Sequence, residues 1–271
     1  MRCEKSVLQQ SGNMRVLVSP QNAAEALVCL SAGVEIVDVK KPDEGSLGAN
    51  FPWVIDEIKN HVKGRALLSA TLGDVPFKPG TISQAALGAV VAGADYVKVG
   101  LFGISNAKQT YELMAAVNRA AKMARQDVTV VACAYADADR VGAISPIAAI
   151  DPVKEAGCDG IMIDTAVKDG KNLFAFQDNE ALQNFVQTAR RLGLLTALAG
   201  SITKEHLGLL SIIRPDIIGV RGAVCESRDR VRGRMTKELI EDFLSTTRDL
   251  TSGFTSVAQV SLSGRRPRQA A

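Results

Sequence analysis

Val34-Glu35-Ile36-Val37-Asp38-Val39-Lys40 is an apolar run that finishes in a carboxylate and an amine. Packing gives a buried strand no reason to end in charge, and strand alternation turns Asp38 and Lys40 to the same face. The event recurs in Asp95-Tyr96-Val97-Lys98-Val99 and in Gly160-Ile161-Met162-Ile163-Asp164, with Lys168 a few residues further on. Three lysines therefore gather where successive strands end. A single lysine in such a place reads as a rim charge; three at matched strand ends read as chemistry.

Working outward from these runs, short β-branched and apolar stretches alternate with amphipathic stretches of helical length from Met14 to about Leu250. That is the pattern of repeated βα units. Eight strands are predicted: 15–19, 35–40, 66–71, 95–99, 128–134, 160–164, 195–199 and 217–220. Helical segments are predicted between them, among them 23–32, 82–92, 107–124, 146–156, 179–192 and 204–213. Helices that end in Ala32-Gly33, Ala92-Gly93, Ala156-Gly157 and Leu192-Gly193 place glycine where a left-handed residue closes an αβ turn. Eight such units close naturally into a (β/α)8 TIM barrel, an α/β fold of one domain. The rival is an open doubly wound sheet, which also alternates strand and helix.

A chain of 271 residues with 46% hydrophobic content can bury a sizeable core. Its formal net charge of +3 matches the three arginines of the tail, Arg265, Arg266 and Arg268, so the rest is balanced and no nucleic-acid partner is implied. Five cysteines are scattered without a Cys-x-x-Cys pair, which indicates neither a disulfide framework nor a thiolate metal site. No apolar stretch is long enough to span a bilayer, and the first residues are too polar for a signal peptide. The expectation is a cytoplasmic protein with no membrane partner. Residues 1–13 read as an N-terminal extension before Met14, residues 14–250 as the catalytic barrel, and residues 251–271 as a flexible basic tail.

In a barrel of this kind the active site lies at the carboxyl ends of the strands, which is where Lys40, Lys98 and Asp164 fall. An ordinary lysine amine, with a pKa of about 10.4, is protonated at neutral pH and cannot attack a carbonyl. Burial and a second nearby ammonium both lower that value and make a Schiff-base lysine. Once a carbonyl is held as an imine, the adjacent carbon acidifies and a second group must take its proton. Asp38, Asp164 and the remaining lysines supply acids and bases of both charge types.

A phosphate site is the second constellation. Ala199-Gly200-Ser201 follows the seventh strand and Val220-Arg221-Gly222 the eighth, where barrels commonly bind phosphate through backbone N–H groups. Arg221 is expected to add a bidentate contact. The glycine-rich loop from Lys41 to Asn50 reads as a cover over the mouth beside Lys40, too polar to pack as core. The loop from Thr71 to Gly80 reads as a second lid, with Asp74 and Lys78 reaching substrate. His61 and His206 stand alone on predicted helices and read as surface residues. No group of His, Cys and carboxylates has metal spacing, so no metal and no cofactor is expected.

Taken together, these motifs closely resemble the (5-formylfuran-3-yl)methyl phosphate synthase family. The match runs from about Met14 to Leu250. Asp38-Val39-Lys40, Glu44-Gly45-Ser46-Leu47-Gly48-Ala49-Asn50-Phe51-Pro52-Trp53, Gly73-Asp74-Val75-Pro76, Tyr96-Val97-Lys98-Val99-Gly100, Asp164-Thr165-Ala166-Val167-Lys168-Asp169-Gly170-Lys171 and Val220-Arg221-Gly222-Ala223 carry it. The resemblance implies a barrel enzyme, similar in fold to aldolases, that condenses two molecules of glyceraldehyde 3-phosphate with loss of phosphate and water, for methanofuran-type carriers. It also implies that Lys40 is the Schiff-base lysine and Lys98 the proton acceptor, with Asp38, Asp164 and Lys168 assisting. Residue chemistry alone leaves open a class I aldolase acting on another sugar phosphate, or a phosphate-binding barrel without turnover. A homo-oligomer built through the outer helices is possible, but no exposed apolar stripe specifies one.

Overall fold

The computed structural model describes residues 14–262, with side chains as far as Thr251. Eight short strands, β1 (Arg15–Val18), β2 (Ile36–Val39), β3 (Leu67–Thr71), β4 (Tyr96–Gly100), β5 (Thr129–Tyr135), β6 (Gly160–Asp164), β7 (Leu195–Leu198) and β8 (Ile217–Val220), run parallel. They follow chain order and close, β8 pairing back on β1 through Arg15 opposite Ile217 and Val18 opposite Val220. The helices that separate them are α1 (Ala23–Ser31), α2 (Pro52–Val62), α3 (Pro79–Val91), α4 (Ala107–Ala124), α5 (Ile150–Glu155), α6 (Asn179–Arg191), α7 (Leu207–Ile213) and α8 (Lys237–Leu262). The fold is the TIM barrel expected from the sequence, and closure removes the open sheet edges of the doubly wound rival.

Alternation along the strands divides the apolar residues between two cores. Val16 and Val18 on β1, Val37 and Val39 on β2 and Val97 and Val99 on β4 pack outward against the helices. Leu17, Ile36, Tyr96, Val131, Met162 and Ala197 fill the barrel interior instead. Since neighbouring side chains on a strand point to opposite faces, Asp38 and Lys98 fall in step with the interior set. Gly33, Gly93, Gly157 and Gly193 all take positive φ at the predicted αβ turns. Asn22, Asn106 and Asp178 cap α1, α4 and α6 with side-chain oxygens that accept N–H bonds from the first turn.

At the amino ends of the strands an aspartate is used three times in the same way. Asp95 accepts the N–H of Leu68, Asp159 that of Val130 and Asp216 that of Thr196, each tying a strand to its neighbour. Each also takes a cation from the helix layer: Lys59, Lys122 and Arg190 respectively. The last helix differs from expectation, because α8 continues past Leu250 to Leu262. The expectations for residues 1–13 and 263–271 lie outside the described residues.

Candidate active site

Asp38 lies next to the end of β2 with its side chain fully buried, and two donors converge on one of its oxygens. Ser19, just past β1, donates its hydroxyl to Oδ2 at 2.9 Å, and Lys98 of β4 donates its ammonium to the same atom at 2.7 Å. Burial by itself raises the pKa of the Asp38 carboxyl, but the Lys98 and Lys40 cations outweigh it and hold the group below the usual carboxylate range. The result is a buried ion pair in which 4% of the lysine side chain and none of the aspartate side chain is exposed.

Lys40 stands one residue beyond β2 and is buried, but it is held differently. Its Nζ donates to the carbonyl of Ser46 at 2.9 Å, and among the described residues no carboxylate pairs with it. Burial pushes its pKa down from 10.5 to about 8, with Asp164 and Asp38 opposing the fall and Lys98 and Lys168 assisting it. With that value about a tenth of the amine is free at pH 7. That is the state a nucleophilic amine requires.

Lys168 completes the second couple, its Nζ lying 2.6 Å from Asp164 Oδ1 and 2.9 Å from Thr165 Oγ1. The turn that carries it is set by a residue the sequence reading missed. Asp137, after β5, accepts the backbone N–H groups of Ala166 at 2.6 Å and Val167 at 3.0 Å. Burial opposes ionisation of Asp164, but Lys168, Lys40 and the N–H of Thr165 bring its pKa to about 2.

The loop after β2 is a plug and not a polar cover. Ser46, Leu47 and Gly48 are buried, and Leu47 joins the interior cluster of the barrel. Burying a leucine contributes roughly 1.5 to 3 kcal/mol, so the segment that presents the Ser46 carbonyl to Lys40 is anchored. Ser46 Oγ adds a bond to the Thr165 carbonyl at 2.8 Å, joining the β2 and β6 loops. Asp74 is part of the same anchorage and lines no part of the cavity: it accepts the N–H of Leu47 at 2.9 Å and the hydroxyl of Tyr135. Gly100 leaves room for that pair, since a Cβ there would lie 2.7 Å from Asp74 Oδ1. Lys78 is exposed at the amino end of α3 and is likewise absent from the cavity lining.

Lys40, Lys98, Asp164 and Lys168 open into a cavity of about 880 Å³ that rises between the loops of β6, β7 and β8. Gly200 and Ser201 line it after β7, both at positive φ, and Gly222 lines it at the start of a short turn, Gly222–Val224. The opening N–H groups of such a turn have no partner within it and suit an anion. Arg221 is where expectation and structure part. Its guanidinium is buried and already committed, with Nη1 at 2.8 Å and Nη2 at 3.2 Å from the Glu25 carboxylate and Nη1 at 2.6 Å from the Ser19 carbonyl. A bidentate site filled by a carboxylate is not offered to phosphate.

His206 is also placed otherwise than expected. It is half-buried on the cavity wall, stacked on Phe174, with the Thr203 N–H donating to Nδ1 at 3.0 Å. The signal was local: Thr203 and His206 form a capping box, which brings the ring back over the chain. Among the described residues no group of His, Cys, Asp and Glu forms a metal site. Cys29, Cys133, Cys158 and Cys225 are free and buried, and burial raises each thiol away from the reactive thiolate.

Solved barrels with little sequence in common share this architecture. KGPDC from Streptococcus mutans superimposes with a TM-score of 0.59 at 14% identity, covering 88% of this chain and 99% of that one. 3-Hexulose-6-phosphate synthase from Salmonella typhimurium gives 0.56 at 18% identity, covering 86% and 100%. Similarity in sequence is far closer elsewhere. The (5-formylfuran-3-yl)methyl phosphate synthase of Methanocaldococcus jannaschii is 53% identical over 229 residues, 84% of this chain and 97% of that protein. That of Methanothermobacter thermautotrophicus is 51% identical over 229 residues, with the same 84% and 97% coverage. Residues 16–244, which include β2 to β8 and every charged residue of the cavity floor, match the family described as 4-HFC-P synthase, and the chain belongs to that family as a (5-formylfuran-3-yl)methyl phosphate synthase.

Proposed function

We propose that the enzyme joins two molecules of glyceraldehyde 3-phosphate through an imine on Lys40. The atoms balance without an electron acceptor: two triose phosphates contain the product's six carbons, one phosphate more than the product, and the elements of two waters. The Lys40 amine adds to the aldehyde of the first triose and expels its oxygen as water. The imine acidifies C2, whose proton passes to a base, and the electron pair left behind drives out the phosphate from C3 or attacks the second aldehyde. A hydroxyl then closes the ring by adding to a carbonyl carbon, and two hydroxyls leave as water with protons supplied by the site. Hydrolysis of the imine takes back the water expelled at its formation and frees the Lys40 amine.

The Asp38–Lys98 and Asp164–Lys168 couples, whose charges all act on Lys40, carry those protons. Each pairs a carboxylate with an ammonium at 2.7 and 2.6 Å, so a proton taken by one member is shared with the other. One observation carries the reading. Of the three lysines at the cavity floor, Lys40 alone lacks a carboxylate partner among the described residues, and its depressed pKa is the one an imine-forming amine needs. The enzyme acts in the cytoplasm on this reading, in the assembly of methanofuran-type carriers; no described helix is long and apolar enough to cross a membrane. Borohydride added with glyceraldehyde 3-phosphate should reduce the imine and leave a stable adduct. Peptide mass mapping should find it on Lys40, and an adduct on Lys98 or Lys168 instead would overturn the assignment.

A further inference from the structure

We propose that Arg230 is the guanidinium that grips a substrate phosphate, the task the sequence pattern gives to Arg221. The inference rests on the reading of the cavity as a site for phosphate esters. Six described cationic side chains line the cavity: Lys40, Lys98, Lys168, Arg221, Arg228 and Arg230. Four of them are neutralised, Lys98 by Asp38, Lys168 by Asp164, Arg221 by Glu25 and Arg228 by Glu205. Lys40 is left free for the imine. Arg230 is the other without a described carboxylate partner, and the reaction chemistry gives it no task.

Arg230 is half-buried, and among the described residues its side-chain hydrogen bonds go only to carbonyls, that of Gly45 at 3.0 Å and that of Pro42 at 3.4 Å. A guanidinium has five donors, so this leaves N–H groups over. Burial lowers the pKa of Arg230, opposed first by the Asp164 carboxylate and less by Asp74 and Asp43, while the Arg221 cation adds to the fall. A partly desolvated charge of this kind gains most from a dianion that brings both charge and acceptors.

Its position fits the glycine-lined end of the cavity. A Cβ built on Gly222 would lie 3.9 Å from Arg230 Cβ, so the arginine stem lies beside the turn that opens with Gly222. Arg221 Nε donates to the Arg230 carbonyl while the rest of its guanidinium is tied to Glu25 and Ser19. Arg221 is thus a strut for the backbone that presents Arg230. Asp229 fixes the following turn by accepting the N–H groups of Val231 at 2.9 Å and Arg232 at 3.0 Å. Through Pro42 and Gly45, Arg230 also touches the segment whose next residue, Ser46, holds the Lys40 amine. Capture of a phosphate is thereby linked to the placement of the imine-forming lysine.

Arg230→Gln and Arg230→Lys test this in two arms. Calorimetric titration of the whole enzyme with inorganic phosphate should show Kd raised roughly tenfold or more in Arg230→Gln, with part of the loss recovered in Arg230→Lys. In borohydride trapping, the preference for glyceraldehyde 3-phosphate over unphosphorylated glyceraldehyde should fall by a similar factor in Arg230→Gln. A role confined to bracing Gly45 would slow both aldehydes alike and leave that preference where it was. An unchanged phosphate Kd, or an equal loss for both aldehydes, overturns the proposal. Failure of the wild-type enzyme to trap either aldehyde would count against the Lys40 imine and leave the phosphate titration to judge Arg230.

Discussion

The two rims of the barrel use the same residue types for different ends. Asp95 and Lys98 lie on one strand run, three residues apart in sequence, yet each finds its partner at the opposite end of the cylinder. At the amino rim Asp95 meets Lys59 with the side chains 22% and 33% exposed, and it also takes Arg125 and the N–H of Leu68. At the carboxyl rim Lys98 meets Asp38 with almost nothing exposed. Water and spare partners make the first pair a replaceable brace. Near-complete burial makes the second a constrained proton couple, steadied by the Ser19 hydroxyl on the same Asp38 oxygen, since unpaired charge in a buried place is costly. The sequence alternation that brings charge to both strand ends does not distinguish the two; depth does.

Substitutions at the carboxyl rim should break this contrast most sharply. Lys40→Arg should keep the fold by circular dichroism and lower turnover by at least about a thousandfold, some 4 kcal/mol of lost transition-state stabilisation, because a guanidinium stays protonated and cannot form the imine. Near-normal phosphate release by that variant would remove the mechanism. Arg221→Met leaves the largely buried Glu25 carboxylate without a cation and held only by the N–H groups of Gln21 among the described residues, and should cost about 3 kcal/mol in urea unfolding. It should weaken substrate binding only through Arg230. A loss of phosphate affinity with no loss of stability would return the direct contact to Arg221.

A pH profile sharpens the comparison further. The Lys40 amine loses its proton near pH 8, so borohydride trapping of wild-type enzyme should speed up as pH rises through about 8 and then level. The same depression makes Lys40 a cost to folding at neutral pH. Between pH 8 and 10.5 the unfolded chain binds the extra proton, so that cost fades as pH rises through the window. In Lys98→Gln one cation that lowers the Lys40 pKa is gone and Asp38 is released to raise it, so the midpoint should move to higher pH. A midpoint that stays put would mean that burial alone tunes Lys40. The smallest effect belongs to the amino rim: Lys59→Met should cost no more than about 1 kcal/mol and leave turnover unchanged, and a large loss of activity there would erase the distinction between the rims.

Much of the site was legible because strands are regular. Once Ile36, Val37 and Val39 are recognised as strand, the directions of Asp38 and Lys40 follow from a period of two, and the same step places Lys98 and Asp164. The long motifs around those residues pointed to the family as well. What escaped lies on loops. Leu47 sits in a stretch rich in glycine and charge that looks like surface, but a single apolar side chain plugs the barrel and draws Ser46 toward Lys40. Asp137 acts only through the backbone of residues on the next loop, for which no local pattern exists. Lys78 looked like a substrate contact because its loop is polar; the amino end of α3 carries it away from the cavity.

By itself the sequence determined the alternating units, the closed parallel barrel they imply, the lysines and aspartates of the carboxyl rim, and membership in the synthase family. Local periodicity and short-range motifs are enough for those. Only the tertiary structure decided which cations remain available. Arg221 is cancelled by Glu25, a residue 196 positions away, while Arg230 is brought into the cavity without a described carboxylate partner. Whether a charge is spent or free depends on what closure of the barrel sets beside it, and pairing between residues far apart in the chain leaves no trace in the spacing of either one.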